Sequence, residues 1–152
     1  MDRIKTAIVG LGKIARDQHI PAIAASDAFE LIAVASPHST LANVPCFTNI
    51  EALLEATREV SAVALCTTPQ VRYEAARRAL EHGCHVFLEK PPGATITEVQ
   101  ALVELARQKN VALLASWHSR FASAVEPARV WLATRKIWHA ATQWLRCGTT
   151  HP

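Results

Sequence analysis

No apolar run in this sequence is long enough to cross a bilayer. The longest unbroken stretches, residues 111–115 among them, fall far short of the roughly 20 apolar residues a spanning helix needs. The opening residues Met1, Asp2, Arg3, Ile4 and Lys5 meet charge and a glycine turn too early to form the core of a signal peptide. The four cysteines, Cys46, Cys66, Cys84 and Cys147, form no Cys-x-x-Cys pair and have no zinc-finger spacing with histidine. That excludes a disulfide framework and predicts no metal site, with Cys66 and Cys84 as small buried thiols in a reducing cytoplasm. Charge of one sign is also scarce. Sixteen basic against 13 acidic residues leave a net +3, too little to argue for nucleic acid. The short cluster Arg72, Arg77 and Arg78 reads as a solvated helix face. There is no Gly-x-Ser-x-Gly elbow, no His-Glu-x-x-His and no Gly-x-x-x-x-Gly-Lys-Ser/Thr loop, which argues against serine hydrolase, zincin and nucleoside triphosphatase chemistry.

What is present is an alternation. With half of its 152 residues apolar, the chain has the composition and length of one globular core. Five short apolar runs, at 4–9, 31–35, 62–66, 85–88 and 111–115, end at glycine, serine or threonine, or proline. Continuous runs without polar alternation predict strands buried on both faces of a parallel sheet. The segments between them read as helices. One starts near Lys13 and needs a break or a fresh first turn at Pro21. A short one covers 50–56. A third runs from Gln70 to His82, burying Val71, Ala75, Ala79 and Leu80, and stops at Gly83. The fourth carries Val99, Leu102, Val103 and Ala106 on one stripe, with Thr97 and Gln100 as a capping box and Asn110 as its stop. Strand–helix alternation at this spacing predicts an α/β fold, a Rossmann-type doubly wound and mostly parallel sheet with helices on both faces. From Lys136 the pattern fades, although 137–145 reads as one further strand.

The sharpest local signal is Gly10-Leu11-Gly12-Lys13-Ile14-Ala15, set between the first strand and the first helix. It matches the Gly-x-Gly-x-x-Gly/Ala fingerprint in the context that fingerprint requires. Gly10 permits the tight turn, Gly12 lets a pyrophosphate approach bare main chain, and Ala15 allows close packing of helix on strand. The helix start, with Lys13 and Ile14, offers free N–H groups and partial positive charge. The plainer reading is a tight strand–helix turn and nothing more. The second strand ends in Ser36, followed by Pro37, His38 and Ser39, where a carboxylate for the adenosine ribose usually stands. Its absence leans toward NADP, although no arginine follows directly, and Ser36 also suits a simple turn cap. Thr67, Thr68 and Pro69, then Glu89 and Lys90, follow the third and fourth runs, at the carboxyl edge where ligands bind in such sheets. There Lys90 is either a solvated loop lysine or a donor to a substrate hydroxyl. Trp117, His118 and Arg120 follow the fifth run and suit a sugar or nicotinamide wall; His118 reads equally as a structural histidine.

The glycine turn together with Glu89-Lys90-Pro91 resembles the Gfo/Idh/MocA oxidoreductase family, and within it the bacterial 1-dehydrogenases of L-arabinose and D-galactose. The likeness spans residues 12–23, 69–73, 89–95, 117–120 and 122–129 and covers about 4–137. It implies an NAD- or NADP-binding Rossmann domain at 1–135, with 136–152 as an atypical tail that begins a missing substrate domain. It further implies oxidation of an aldose at C1 to a lactone. Lys90 would be the catalytic lysine, Thr68 and Pro69 the cofactor-lining loop, Glu89 a contact to the nicotinamide ribose, and His118 and Arg120 part of the sugar pocket. The sequence departs from the family at Pro37, where a basic residue is common, and near the C-terminus, where the resemblance implies an acidic Glu-Asp pair and then Trp-His-Pro and the chain has Leu145-Arg146-Cys147-Gly148 and then Thr150-His151-Pro152. A truncated or frame-shifted relative, or one domain of a longer chain, is therefore expected. Such a chain would be weakly active or inactive alone, and an uncovered apolar patch would favour self-association. The other class of function open to it is a non-catalytic dinucleotide-binding or interaction module.

Overall fold

Four β-branched residues, Ile4, Thr6, Ile8 and Val9, sit in β1 (Ile4–Val9), the strand at the centre of the architecture. The computed structural model describes residues 2–137 and divides them into two units, one ending at Trp117 and one beginning at His118. In the first unit, β1 is followed by a π-helical turn (Ala15–His19) that runs directly into α1 (Ile20–Ala24). The Ile20 N–H reaches back to the Ala15 carbonyl, and Pro21 lies in the first turn of α1, where its missing N–H costs nothing. The expected fresh start at Pro21 is thus realised through a widened turn. The order continues with β2 (Phe29–Ala35), β3 (Cys46–Phe47), α2 (Ile50–Ala56), β4 (Ala62–Leu65), α3 (Pro69–Glu81), β5 (His85–Leu88), α4 (Ile96–Lys109) and β6 (Leu113–Ala115).

All six strands are parallel, in the order β3-β2-β1-β4-β5-β6, the doubly wound arrangement expected from the strand–helix alternation. The two-residue β3 carries no periodic signal and is not legible in the sequence. Side chains alternate across the sheet. Ala7, Val9, Ala33, Ala35, Val63, Leu65, Val86 and Leu88 point to a large core completed by Leu53, Leu80 and Leu102 from α2, α3 and α4. Ile8, Val34 and Ala64 point the other way, to a smaller cluster with Leu11 and Ala15. The expectation of burial on both faces holds for the end of β1 and fails for β5 and β6. His85 and Leu114 are exposed and Phe87 is half-buried, beside an open hollow that Ala22 and Ile23 of α1 also line.

Helix ends follow local chemistry. Asn49 accepts the Ala52 N–H at 2.8 Å to start α2. The capping box of α4 is Thr95 with Glu98 rather than Thr97 with Gln100: the helix begins two residues earlier, at Ile96, so Thr95 is the residue left with extended backbone. Asn110, at φ 54°, ends it as expected. In α3 the buried stripe is Arg72, Ala76, Ala79 and Leu80, and Val71 is 61% exposed. Ala79 and Leu80 are thus buried as expected, while Arg72 and Ala76 take the buried places expected of Val71 and Ala75, and the reason is Arg72, whose buried head finds carbonyl partners described below. Residues 138–145 of the expected last strand lie outside the described residues, as does nearly all of the expected tail. The second unit contains a 3₁₀ turn (His118–Phe121) and α5 (Val125–Ala133), the latter with an Arg129–Glu126 ion pair and Arg135 stacked 4.0 Å over Trp131. Among the described residues no helix is long and apolar enough to cross a membrane.

Candidate functional site

Ladder register fixes where the candidate residues gather. Val9 pairs with Ala35 on one side and Leu65 on the other; Leu65 pairs with Leu88, and Leu88 with Ala115. Five strands therefore end in one row, and the residues after them leave the sheet side by side. Gly10, Ser36, Thr67 and Glu89 stand at this edge, and Trp117 follows two residues past β6.

Gly10 has φ +92°, and a Cβ there would lie 3.0 Å from the Thr67 backbone nitrogen. Conformation and space both demand glycine. Its N–H donates to Ala35 O at 2.8 Å, which ties the turn to β2. Gly12 is the opposite case: a Cβ at this position would meet nothing within 4 Å. Arg16 is the first residue past this turn whose N–H reaches a protein carbonyl, that of Gly12 at 3.2 Å. Among the described residues, no acceptor takes the N–H groups of Gly12, Lys13 or Ile14. The turn thus presents open space and unengaged donors together, the combination an oxyanion of a phosphate needs. Ala15 is fully buried against the sheet, as its small size permits. The Lys13 side chain is exposed and paired with Asp17, one helical turn away, and Ile14 is partly exposed.

The loops after β4 and β5 are bound together by Arg72, which is 2% exposed. Its guanidinium donates to the carbonyls of Thr67, Glu89 and Pro91. Burial pushes this guanidinium below its ordinary pKa, while the nearby Glu89 opposes the shift. Glu89 in turn is held from the first helix: its Oε1 lies 2.8 Å from His19 Nε2, with the two side chains only 12% and 13% exposed. Its Oε2 accepts the Lys90 N–H at 3.1 Å. The His19 ring meets Phe87 edge-on at 5.3 Å. Lys90 itself is exposed and precedes a cis bond to Pro91. Cys66, behind this network, has its thiol pushed up to about 12, first by burial and then by the Glu89 charge, so it stays protonated at neutral pH. Thr67 turns its methyl toward Gly10 and buries its hydroxyl without a partner, whereas Thr68 and Pro69 begin α3.

After β2, Ser36 donates its N–H to Phe47 O at 2.8 Å, and Ser36, His38 and their neighbours line a recess of about 330 Å³. Gly10, Thr67, Glu89 and the main chain of Lys90 are thus joined into one polar edge, with Ser36 and His38 at its β2 end. Trp117 is exposed at the end of the first unit, and His118 and Arg120 belong to the second unit. Two residues escaped the sequence reading. Arg72 reads in the sequence as part of a solvated face; the structure puts it on a buried stripe with Ala76, Ala79 and Leu80, which periodicity does not prefer over the stripe through Val71. His19 shares a stripe with Ala15 and Ile23, which marks it as inward-facing.

The family model described as "Oxidoreductase family, NAD-binding Rossmann fold", Gfo/Idh/MocA, matches residues 4–116. Galactose 1-dehydrogenase of Pseudomonas fluorescens is 38% identical over 144 residues, which is 95% of this chain and 46% of that protein. D-glucoside 3-dehydrogenase of Escherichia coli is 29% identical over 83% of the chain and 38% of its own length. The crystal structure of a D-galactose-1-dehydrogenase from Rhizobium etli superposes with a TM-score of 0.85 at 55% identity, covering 88% of this chain and 43% of that one. The chain therefore spans less than half the length of each of these relatives.

Proposed function

The chain belongs to the Gfo/Idh/MocA oxidoreductase family, whose NAD-binding Rossmann domain it carries, and from that premise we propose that it is the cofactor half of an aldose 1-dehydrogenase. The observation that carries the reading is the open ground at Gly12 beside three unengaged amides. A dinucleotide pyrophosphate fits there without displacing any protein contact, and the helix start favours its charge. When bound, the nicotinamide supplies the hydride acceptor.

The residues of the chain would do the rest. Gly10 holds the turn, Thr68 and Pro69 border the cofactor from the start of α3, and Glu89 keeps acceptor capacity for a ribose hydroxyl beyond its bonds to His19 and Lys90. Lys90, at the edge, would bind the sugar hydroxyl at C1 and, as the neutral amine, take its proton while the C1 hydride passes to the nicotinamide, yielding a lactone and leaving the lysine as an ammonium. The family resemblance assigns Trp117, His118 and Arg120 to the sugar side. Galactose-type aldoses are the substrate class, supported by the names of the two galactose 1-dehydrogenases the chain resembles. The relatives are more than twice as long, and transition-state stabilisation needs groups on both sides of the hydride path, so this stretch alone should bind cofactor and turn over little sugar.

Calorimetry with NAD and NADP tests binding, and the absorbance of reduced nicotinamide with D-galactose or L-arabinose tests turnover. Gly12→Val should weaken dinucleotide binding by about tenfold or more, while the melting temperature stays unchanged because its Cβ meets no protein atom. Unaltered affinity in this variant would sink the proposal. Cofactor binding without any sugar-dependent reduction, in a chain extended to the length of its relatives, would favour a non-catalytic dinucleotide module.

A further inference from the structure

Glu89 is held from several directions for a loop residue. Its N–H donates to Leu65 O at 3.3 Å, its carbonyl accepts from the buried Arg72 guanidinium, and its Oε2 accepts the Lys90 N–H at 3.1 Å. The remaining hold comes from far away in the sequence. His19 Nε2 lies 2.8 Å from Glu89 Oε1 across 70 positions, and both side chains are largely buried. An ionised carboxylate only accepts, so Nε2 is the donor in this pair. The ring is itself fixed, edge-on against Phe87 at 5.3 Å. His19 ends the π-helical turn that follows the glycines, a backbone form frequent at functional sites. The piece of chain that offers three unengaged amides at its start therefore grips Glu89 at its other end. As a stabilising device such a pair is poor, because taking a carboxylate and its partner out of water offsets most of their attraction. What the pair does achieve is a carboxylate with one fixed pose.

We infer that His19 is a positioning residue for the nicotinamide end of the dinucleotide: it holds the Glu89 carboxylate in the pose from which its free lone pairs accept a hydroxyl of the nicotinamide ribose. This rests on the dinucleotide reading above and deepens it, giving a role to a residue that touches no ligand. Each carboxylate oxygen has two lone-pair sites, so the bonds to His19 and to the Lys90 N–H leave acceptor capacity on both. Without His19 the carboxylate is free to change rotamer, and the ribose contact then carries the entropy cost of ordering it.

Calorimetric titration of the full chain with NAD, ADP-ribose and ADP separates the parts. All three carry the diphosphate, and only the first two carry the second ribose. His19→Leu fills the place beside Phe87 and removes the donor. It should weaken NAD and ADP-ribose about three- to tenfold, the worth of one ordinary hydrogen bond, and leave ADP unchanged. His19→Gln, whose amide can still donate to Oε1, should keep most of the affinity. In a Glu89→Ala background His19→Leu should have no further effect, since the histidine acts through the carboxylate. A loss shared equally by ADP, no loss at all, a His19→Gln chain as weak as His19→Leu, or a full loss persisting in Glu89→Ala overturns the positioning role and leaves dinucleotide binding standing. Failure of the parent chain to bind any of the three overturns the dinucleotide reading, and the inference falls with it.

Discussion

The two faces of the sheet are unequal partners. One carries α2, α3 and α4 and a core of 18 buried residues; the other carries the first helix and a cluster of five. On the first face the inward strand residues from Ala7 to Leu88 share one core with Leu53, Leu80 and Leu102 of these helices. On the second, packing is dense only under Ala15 and Leu11, and a hollow of about 580 Å³ opens over Phe29, Ala62, Phe87 and Leu114. The difference teaches where stability and function reside. Burial scales with apolar area removed from water, so the three-helix face holds the sheet together. The thin face and the carboxyl edge beside it hold the glycine turn, His19 and Glu89, which are kept in place by hydrogen bonds more than by bulk packing.

Substitutions can break or sharpen that contrast. The largest effect belongs to Leu80→Ala in the middle of the thick face. Leu80 is fully buried, and its truncation should cost about 2–5 kcal/mol in chemical denaturation; a loss near zero would mean the three-helix core is not the stabilising one. Next comes Arg72→Met, which keeps the packed stem and removes the donors from the Thr67, Glu89 and Pro91 carbonyls. We expect about 1–3 kcal/mol of lost stability and, in calorimetry, weaker dinucleotide binding, because the loops after β4 and β5 would no longer be tied together. Retained affinity would show that the edge is positioned without Arg72. The smallest effect belongs to Leu114→Ser on the thin face. Leu114 is 58% exposed, and a change within about 0.5 kcal/mol is expected. A large loss there would show that this face is covered in solution.

Much of the fold could be read before any coordinates. The strand positions follow from short apolar runs, and the turn at Gly10 follows from a glycine pair between strand and helix. Asn110 announces the end of α4. Where the reading slipped, the cause was a choice between near-equal local options. Thr95 and Thr97 both suit a cap, and only the helix start at Ile96 decides between them. Val71 is the more apolar neighbour of Arg72, so periodicity alone favoured it for the core.

Taken alone, the chain determined its strand–helix order, its glycine turn and the residues that stand at strand ends, because each depends on neighbours within a few positions. Tertiary structure alone decided that Arg72 is buried, that His19 reaches Glu89 across 70 positions, that Arg16 meets the loop after β2, and that one face is thickly covered and the other thinly. A buried polar group is tolerable only where acceptors converge on it, and those acceptors come from loops that are distant in sequence and adjacent only after the sheet has assembled.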